Sequence, residues 1–445
     1  MWPRNRHAAR SFARPLTDGD EFDGALRYHF VTACRVPQPI PRRPAAGSAR
    51  RARGPTVGRA FVRLLPLRAV WALSFLAVTA PALADLSAVV VSEPTSRKDS
   101  LMLSRQALEA HLAKLTGQNV KVTVSEDLTD AMRATRSKGY DIFIAPAQVT
   151  ASALAHGYEL VGATDADEQY LLVGQSTLGS ASDLKKSRIY LPQQDSIYTY
   201  LARGMLTSAG LSFKDLRQVE YARYPQAGLT AVAMRLSDAT VIRSADWDGW
   251  SKANPGTAKV LASTGGVPGG FSVALNKELS ADTRAKIAKW FQASASSVGM
   301  KAVAMQPELA LYKRVAELGT FTPTSLPGAT VVGAEQVAKL MSEGAIVVDT
   351  RNEQEYKARH IPGALFVPYH EKSLKDVAYD AAQDDFAGLA RLDPSKPTVF
   401  QCNGPECWKS YKASRAALAK GFAKVYWFRG GLPDWQRAGQ QVAQN

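Results

Sequence analysis

The residues with the most chemistry in this chain are two cysteines in one short stretch, Cys402-Asn403-Gly404-Pro405-Glu406-Cys407-Trp408-Lys409-Ser410. An apolar, β-branched run, Thr398-Val-Phe-Gln401, leads into it and reads as a buried strand. Ser410 reads as the N-cap of a helix over 411–420 with its apolar positions on one face. A thiol between a strand end and a helix start lies among backbone N–H groups, at the positive end of the helix dipole. That setting depresses its pKa and makes a nucleophilic thiolate, and the same loop is a cradle for an anion. Taken alone, a cysteine in such a place is more often a buried structural residue, so the flanking sequence has to decide. Cys402 directly follows the strand while Cys407 lies nearer the helix, which makes Cys402 the preferred nucleophile. Two thiols this close also suit a nucleophile with a resolving partner, or a disulfide that silences the loop. With no nearby His-x-x-x-His or second cysteine pair, the ligand set for zinc is incomplete, and neither metal nor other cofactor is expected.

The 445 residues leave room for two or three domains. A formal charge of +15 would suit nucleic acid, but residues 1–84 carry +10 of it, fourteen Arg against Asp18, Asp20, Glu21 and Asp23, which leaves an ordinary +5. No basic–aromatic stripe stands out in the rest, so nucleic acid is excluded as a partner. Residues 61–84 read as a secretory signal: Arg63 and Arg68, the apolar run 69–78, then Ala82-Leu-Ala84, with cleavage after Ala84. That run is too short to span a bilayer, and no later segment reaches about eighteen apolar residues. No cysteine follows the cleavage point, so no lipid anchor is expected. Residues 1–60, rich in Arg, Pro, Gly and Ala, read as a disordered extension; an over-extended start site accounts for it. Cys34 leaves with this segment, and the mature chain keeps only Cys402 and Cys407, in an oxidising periplasmic compartment.

From Asp85 strands and helices alternate. Strands are expected at 86–91, 120–124, 140–145, 158–163, 169–174, 188–191, 219–222, 239–242, 260–262 and 271–274. Helices are expected at 101–115, 128–137, 198–209, 228–236, 281–297 and 307–315. Such alternation implies an α/β fold of parallel sheets sandwiched by helices, and its length implies two lobes. The stretch 320–328, with two prolines, hydroxyls and Gly328, is a linker between a domain over 85–319 and one over 329–445. Beyond it come a helix at 334–341, strands at 345–348, 365–367, 398–401 and 425–428, and a helical stretch with loops at 376–390.

Around the cysteine loop lie Ala345-Ile-Val-Val-Asp349-Thr-Arg351, then Glu355-Tyr, His360-Ile-Pro-Gly-Ala364, and finally Arg429-Gly430-Gly431-Leu-Pro-Asp-Trp435. In this order, over roughly 328–441, these motifs resemble the rhodanese (sulfurtransferase) domain. The resemblance implies an α/β domain with a central parallel sheet and sulfane-sulfur transfer: the Cys402 thiolate takes the outer sulfur of a thiosulfate-like donor, and a thiol acceptor then removes it. Loop N–H groups would stabilise the anionic sulfur, and Lys409 would attract the donor. Asp349 and Arg351 at the strand end, with Glu355 four residues on, suit a buried ion pair that fixes the fold, and His360 reads as structural. The loop departs from the usual pattern in Asn403, where the family commonly has Arg, in Pro405, in Cys407-Trp408 and in its length.

The segment 85–320 resembles a type 2 periplasmic solute-binding protein of the phosphonate/phosphite/phosphate-type family. The motifs are a strand followed by Glu93-Pro94, the run 140–147 (YDIFIAPA), the stretch 181–211, Leu236-Ser-Asp-Ala-Thr240, and 265–287. The resemblance implies two lobes closing on a small oxyanion, held by a Ser-Thr-Ser-Gly loop before a helix. Here the corresponding residues are Asp195-Ser196-Ile197-Tyr198-Thr199: Ser196 matches, Tyr198 or Thr199 substitutes, and the glycine is missing. Further cleft candidates at carboxyl ends of strands are Glu93, Thr95, Pro146, Gln148, Gln226 and Asp246.

These residues suit three functions, in order of expectation. The first is a periplasmic sulfurtransferase whose solute-binding half captures a small anionic sulfur or phosphorus compound. The second is an anion-binding protein serving an ABC permease, with an inert or redox-locked rhodanese module. The third is an oxyanion phosphatase or reductase using the Cys402 loop.

Overall fold

A computed structural model describes residues 85–94 and 105–445; Thr95, Cys34, the signal segment and the N-terminal extension lie outside the described residues. The first sheet takes β1 (Leu86–Val91), β2 (Val120–Ser125), β3 (Ile142–Ala145) and β4 (Tyr158–Ala163). The chain crosses to β5 (Tyr170–Gln175), β6 (Arg188–Pro192), β7 (Gln218–Ala222), β8 (Ala239–Arg243) and β9 (Ala258–Ser263), then returns to add β10 (Ser272–Asn276) to the first sheet. The orders are β2-β1-β3-β10-β4 and β7-β6-β8-β5-β9, one sheet per lobe. In β1, Leu86, Ala88 and Val90 pack with Leu108, Leu112 and Phe291, while Val89 and Val91 pack with Leu128, Met132 and Val149. A strand covered on both faces is apolar throughout, which is why its sequence does not alternate.

The two sheets are mixed, not parallel as expected. β10 runs antiparallel to β3 and β4, and β5 to β8 and β9. Each is the first strand after a crossing between lobes. It enters its sheet without a crossover helix, so nothing turns the chain back into the parallel direction.

The helix Leu128–Ser137 holds the first lobe with one face and the C-terminal domain with another. Asp127 caps it by accepting the Asp130 N–H at 2.8 Å, and the chain leaves it at Lys138 with φ 53. Leu128, Ala131, Met132 and Thr135 are buried at helical spacing. Arg133 and Arg136 instead reach carboxylates of the C-terminal domain.

That domain is built on β11 (Thr330–Val331), β12 (Ile346–Asp349), β13 (Leu365–Phe366), β14 (Thr398–Gln401) and β15 (Val425–Phe428), all parallel, in the order β11-β15-β14-β12-β13. β14 is central and fully buried: Val399 meets Val347 and Phe428 on one face, and Phe400 meets Val348 and Phe422 on the other. Registers Asp349↔Gln401 and Gln401↔Phe428 align the carboxyl ends of β12, β14 and β15, so the residues that follow all three meet at one edge.

Two local expectations are corrected. The stretch 376–390 holds only short 3₁₀ turns, Ala381–Gln383 and Ala387–Arg391. Asp380 and Asp385 each accept the N–H two residues on, taking backbone donors a helix would need, while the Asp384 side chain is drawn back to the N–H groups of Lys372 and Ser373. The helix after the cysteine loop is Trp408–Ala419 with Cys407 as its N-cap, so Ser410 lies inside its first turn. The linker is also docked. Thr322 donates its N–H and hydroxyl to the Pro405 carbonyl at 2.8 and 2.7 Å, and Trp408 Nε1 donates to the Thr320 carbonyl at 3.1 Å.

Candidate functional site

Cys402 follows β14 directly, and its carbonyl accepts the Leu432 N–H at 2.9 Å. Gly431 permits that approach: its φ is +59, and a Cβ there would lie 2.0 Å from the Cys402 carbonyl oxygen. Gly404, at φ 90, turns the loop so that the Cys407 N–H reaches the Gly404 carbonyl at 3.0 Å. Both thiols are free and buried. Cys402 Sγ donates to the Cys407 carbonyl at 3.2 Å and lies 3.1 Å from Ser410 Oγ, which also accepts from Trp427 Nε1 at 3.1 Å. Burial pushes the Cys402 thiol well above its usual range, and its hydrogen bond with Cys407 adds to this. Burial also pushes Cys407 up, but the Cys402 hydrogen bond, the Arg136 guanidinium, the Asn403 N–H and Lys409 outweigh it and bring Cys407 down to about 7. Of the two thiols, Cys407 is thus the more acidic, and Cys402 is the one that burial holds protonated to higher pH.

The loop is anchored by charge. Arg351 grips Asp349 with Nε at 2.9 and 3.1 Å and Nη2 at 2.7 Å, both residues being buried. Arg351 Nη1 also donates to Asn403 Oδ1 at 3.3 Å, and Asn403 Nδ2 donates to Glu355 Oε1 at 2.6 Å. Glu355 therefore joins the Asp349–Arg351 pair through Asn403, the residue that stands where an arginine was expected. His360 is buried against Tyr356, with Nδ1 2.9 Å from the Tyr356 carbonyl, and supports the loop's surroundings. Glu406 meets Arg136 at 3.2 Å, Pro405 takes the linker, and Trp408 is buried beside Tyr411. Lys409 is half-buried, and its charge acts on Cys407.

In the other domain, Glu93, Gln148 and the start of the helix Ile197–Ser208 come together. Glu93 Oε1 accepts the Ile197 N–H at 2.8 Å and Gln148 Nε2 at 2.5 Å, while Oε2 is buried with no hydrogen-bond partner. The helix N-terminus expected to grip an external oxyanion is thus already facing the protein's own carboxyl group. The hydroxyls are turned inward: Ser196 donates to the Pro192 carbonyl at 2.9 Å, and Thr199 lies 2.9 and 2.8 Å from the Pro192 and Gln193 carbonyls. Tyr198 packs edge-on against Tyr170, and Asp246 pairs with Arg243 at 2.9 Å. Pro146 precedes the helix Ala147–Ala155, and Gln226 opens the helix Gln226–Ala233. Burial outweighs the hydrogen bonds to Glu93 and pushes its carboxyl up to about 7. A folded-state pKa above the unfolded value means stability is complete in acid and lost as pH rises through about 7. Glu93→Gln is therefore expected to leave stability unchanged near pH 4 and raise it by about 3 kcal/mol above pH 8. Urea unfolding at the two pH values checks this; an equal effect at both would refute the buried acid.

Three ion pairs between the domains, among the described residues, escaped the sequence. Lys375 Nζ pairs with buried Asp195 at 2.5 Å, and Asp195 also accepts from Thr129 at 2.7 Å. Arg136 pairs with Glu406, and Arg133 with Glu355 at 3.4 Å. Beside them a cavity of ≈ 770 Å³ opens between the helix Leu128–Ser137 and the cysteine loop, reaching Asn403 and Arg351. Each contact joins residues far apart in the chain, and Arg136 and Glu406 are 270 positions apart.

Comparison with known proteins agrees with both halves. The profile of the family described as ABC transporter, phosphonate, periplasmic substrate-binding protein matches residues 90–321, and that of the rhodanese-like domain matches 333–438. The thiosulfate sulfurtransferase GlpE of Pseudomonas entomophila is 33% identical over 105 residues, 24% of this chain and 83% of that protein. Its counterpart in Pseudomonas fluorescens is 32% identical over 102 residues, 23% of this chain and 80% of that protein. The solved structure of PhnD1 from Prochlorococcus marinus, in complex with methylphosphonate, is similar at 16% identity and a TM-score of 0.40, covering 53% of this chain and 97% of that one.

Proposed function

The chain belongs to the phosphonate-type family of ABC transporter periplasmic substrate-binding proteins and carries a C-terminal rhodanese-like domain, and from that premise we propose that it is a periplasmic sulfurtransferase working through a Cys402 persulfide. The observation that supports this most is the pair of free, buried thiols in the loop after β14, where Cys402 Sγ is held by the Cys407 carbonyl and Ser410 Oγ and Cys407 is the more acidic of the two. A nucleophile beside its own base is the arrangement covalent transfer needs. Cys402 Sγ attacks the outer sulfur of thiosulfate and its proton passes to Cys407. The sulfur–sulfur bond of the donor breaks, and its electron pair leaves with sulfite. Cys402 keeps the sulfur as an anionic persulfide, facing Ser410. An acceptor thiolate, or cyanide in an assay, then takes that sulfur, and Cys402 recovers its proton from Cys407. Lys409 raises the local concentration of the anionic donor.

The substrate-binding half suggests a small anionic ligand and association with an ABC permease. In this chain Glu93 already faces the helix N-terminus, so an anion enters that position only by displacing a carboxyl group or meeting it protonated.

The test is direct. The reduced whole protein, incubated with thiosulfate alone, is expected to gain the mass of one sulfur atom, and cyanide is expected to discharge it as thiocyanate. Neither sulfur gain nor thiocyanate from fully reduced protein would end the sulfurtransferase reading.

A further inference from the structure

The residue closest to being out of place is Arg136. It belongs to the substrate-binding half, yet it is 9% exposed and lies against the cysteine loop of the other half. Its Nη1 pairs with Glu406 Oε2 at 3.2 Å, and its Nε is buried with no hydrogen-bond partner. A guanidinium has five donors, and burying one with a single carboxylate leaves donors that cost free energy unless something else accepts from them. Glu406, the acid it pairs with, directly precedes Cys407 in the loop, and the charge of Arg136 acts on Glu406, Cys407, Asp195 and Cys402. The cavity of ≈ 770 Å³ that it lines continues past Arg133, Arg359 and Arg437 to Asn403 in the loop. Arg133 is already held by Asp130 and Glu355, Arg359 by the Ser137 carbonyl and Arg437 by Asp434. Arg136 alone of these four combines near-complete burial, an unused donor and an ion pair to the residue that precedes Cys407.

We propose that the sulfur-transfer site is built by both halves of the chain, with Arg136 of the substrate-binding half binding the anionic end of the sulfur donor beside Cys402 and Cys407. This rests on the sulfurtransferase reading above and names the ligand class at that site: a sulfane-sulfur compound ending in an oxyanion, of which thiosulfate is the smallest. Guanidinium recognises such a group through paired N–H donors, which an ammonium cannot reproduce. The substrate-binding half thereby serves as a wall of the active site.

The test uses the whole protein and thiosulfate, with steady-state kinetics on wild type, Arg136→Ala, Arg136→Lys and Glu406→Gln. Arg136→Ala is expected to raise KM for thiosulfate about tenfold or more, with a smaller change in kcat, and Arg136→Lys to recover part of it. Glu406→Gln, which keeps the arginine and releases it from its carboxylate, is expected to lower KM severalfold; this arm decides the matter if Arg136→Ala fails to fold. A second readout is attack on a neutral dialkyl trisulfide, in which Cys402 bonds to the central sulfur as a mixed trisulfide while an alkyl thiolate leaves; this donor has no oxyanion, and the rate of thiolate release should not distinguish wild type from Arg136→Ala. An unchanged KM in Arg136→Ala, or an unchanged KM in Glu406→Gln, overturns the proposal while leaving the sulfurtransferase reading intact. Absence of turnover in the wild type itself removes that reading, and this one with it.

Discussion

Cys402→Ser is expected to lower thiosulfate-dependent turnover by at least ~10³-fold, because in the proposed mechanism it removes the atom that carries the sulfur. Cys407→Ser should behave differently. It leaves the carrier and removes the base, a loss of about 10²-fold at pH 7. The pH profile separates the roles. In the wild type, kcat/KM should rise with pH through about 7 as Cys407 ionises. In Cys407→Ser the rise should move to higher pH, since burial raises the Cys402 thiol and no neighbouring thiolate remains to take its proton. Thiocyanate production measured between about pH 5.5 and about pH 10 makes the comparison. A Cys402→Ser protein that still turns over while Cys407→Ser is dead at every pH would transfer the carrier role to Cys407.

The largest stability loss is expected at Arg351. Its side chain closes on Asp349 through three contacts of 2.7 to 3.1 Å, and both residues are buried. Arg351→Ala leaves the Asp349 carboxylate without its counter-charge and removes the donor to Asn403. Breaking one side of such a pair costs about 3–5 kcal/mol. Arg351→Lys should recover little, since one ammonium cannot reproduce the two-pronged grip. Urea unfolding followed by tryptophan fluorescence senses the C-terminal domain through buried Trp408, Trp427 and Trp435, and the first lobe through buried Trp290. A loss under about 1 kcal/mol would mean that Asp349 finds another partner or a proton. Because Arg351 also positions Asn403, the same substitution should slow turnover in the fraction that stays folded.

Both families and the α/β class were legible in the sequence, for different reasons. The rhodanese motifs sit where backbone geometry admits few residues: Gly431 has a positive φ and almost touches the Cys402 carbonyl, and Asp349 with Arg351 is a charge pair that must be buried together. The solute-binding strands announced themselves by apolar runs covered on both faces, as in β1. What stayed hidden depends on contacts between distant segments. Nothing in Leu128–Ser137 marks Arg136 as different from Arg133, since both look like the polar face of an amphipathic helix. The reversed direction of β5 and β10 follows from where the chain crosses between lobes, which periodicity does not encode. Ser410 misled for a local reason: its hydroxyl serves the thiol and Trp427 instead of a helix end.

Asp195 is a rivet driven through three plates. Thr129 comes from the first lobe, Asp195 from the second, and Lys375 from the C-terminal domain, all meeting at one buried carboxylate. A binding protein that works as a clam must part its jaws to load and release cargo. Here, parting them means pulling Asp195 off Thr129, off Lys375, or both, and exposing or stranding charge costs several kcal/mol. The C-terminal domain is thus a clasp on the shell, and the energy of opening one is drawn from undocking the other. A permease that pries the lobes apart would, in the same motion, draw the wall carrying Arg136 away from the cysteines and switch the chemistry off.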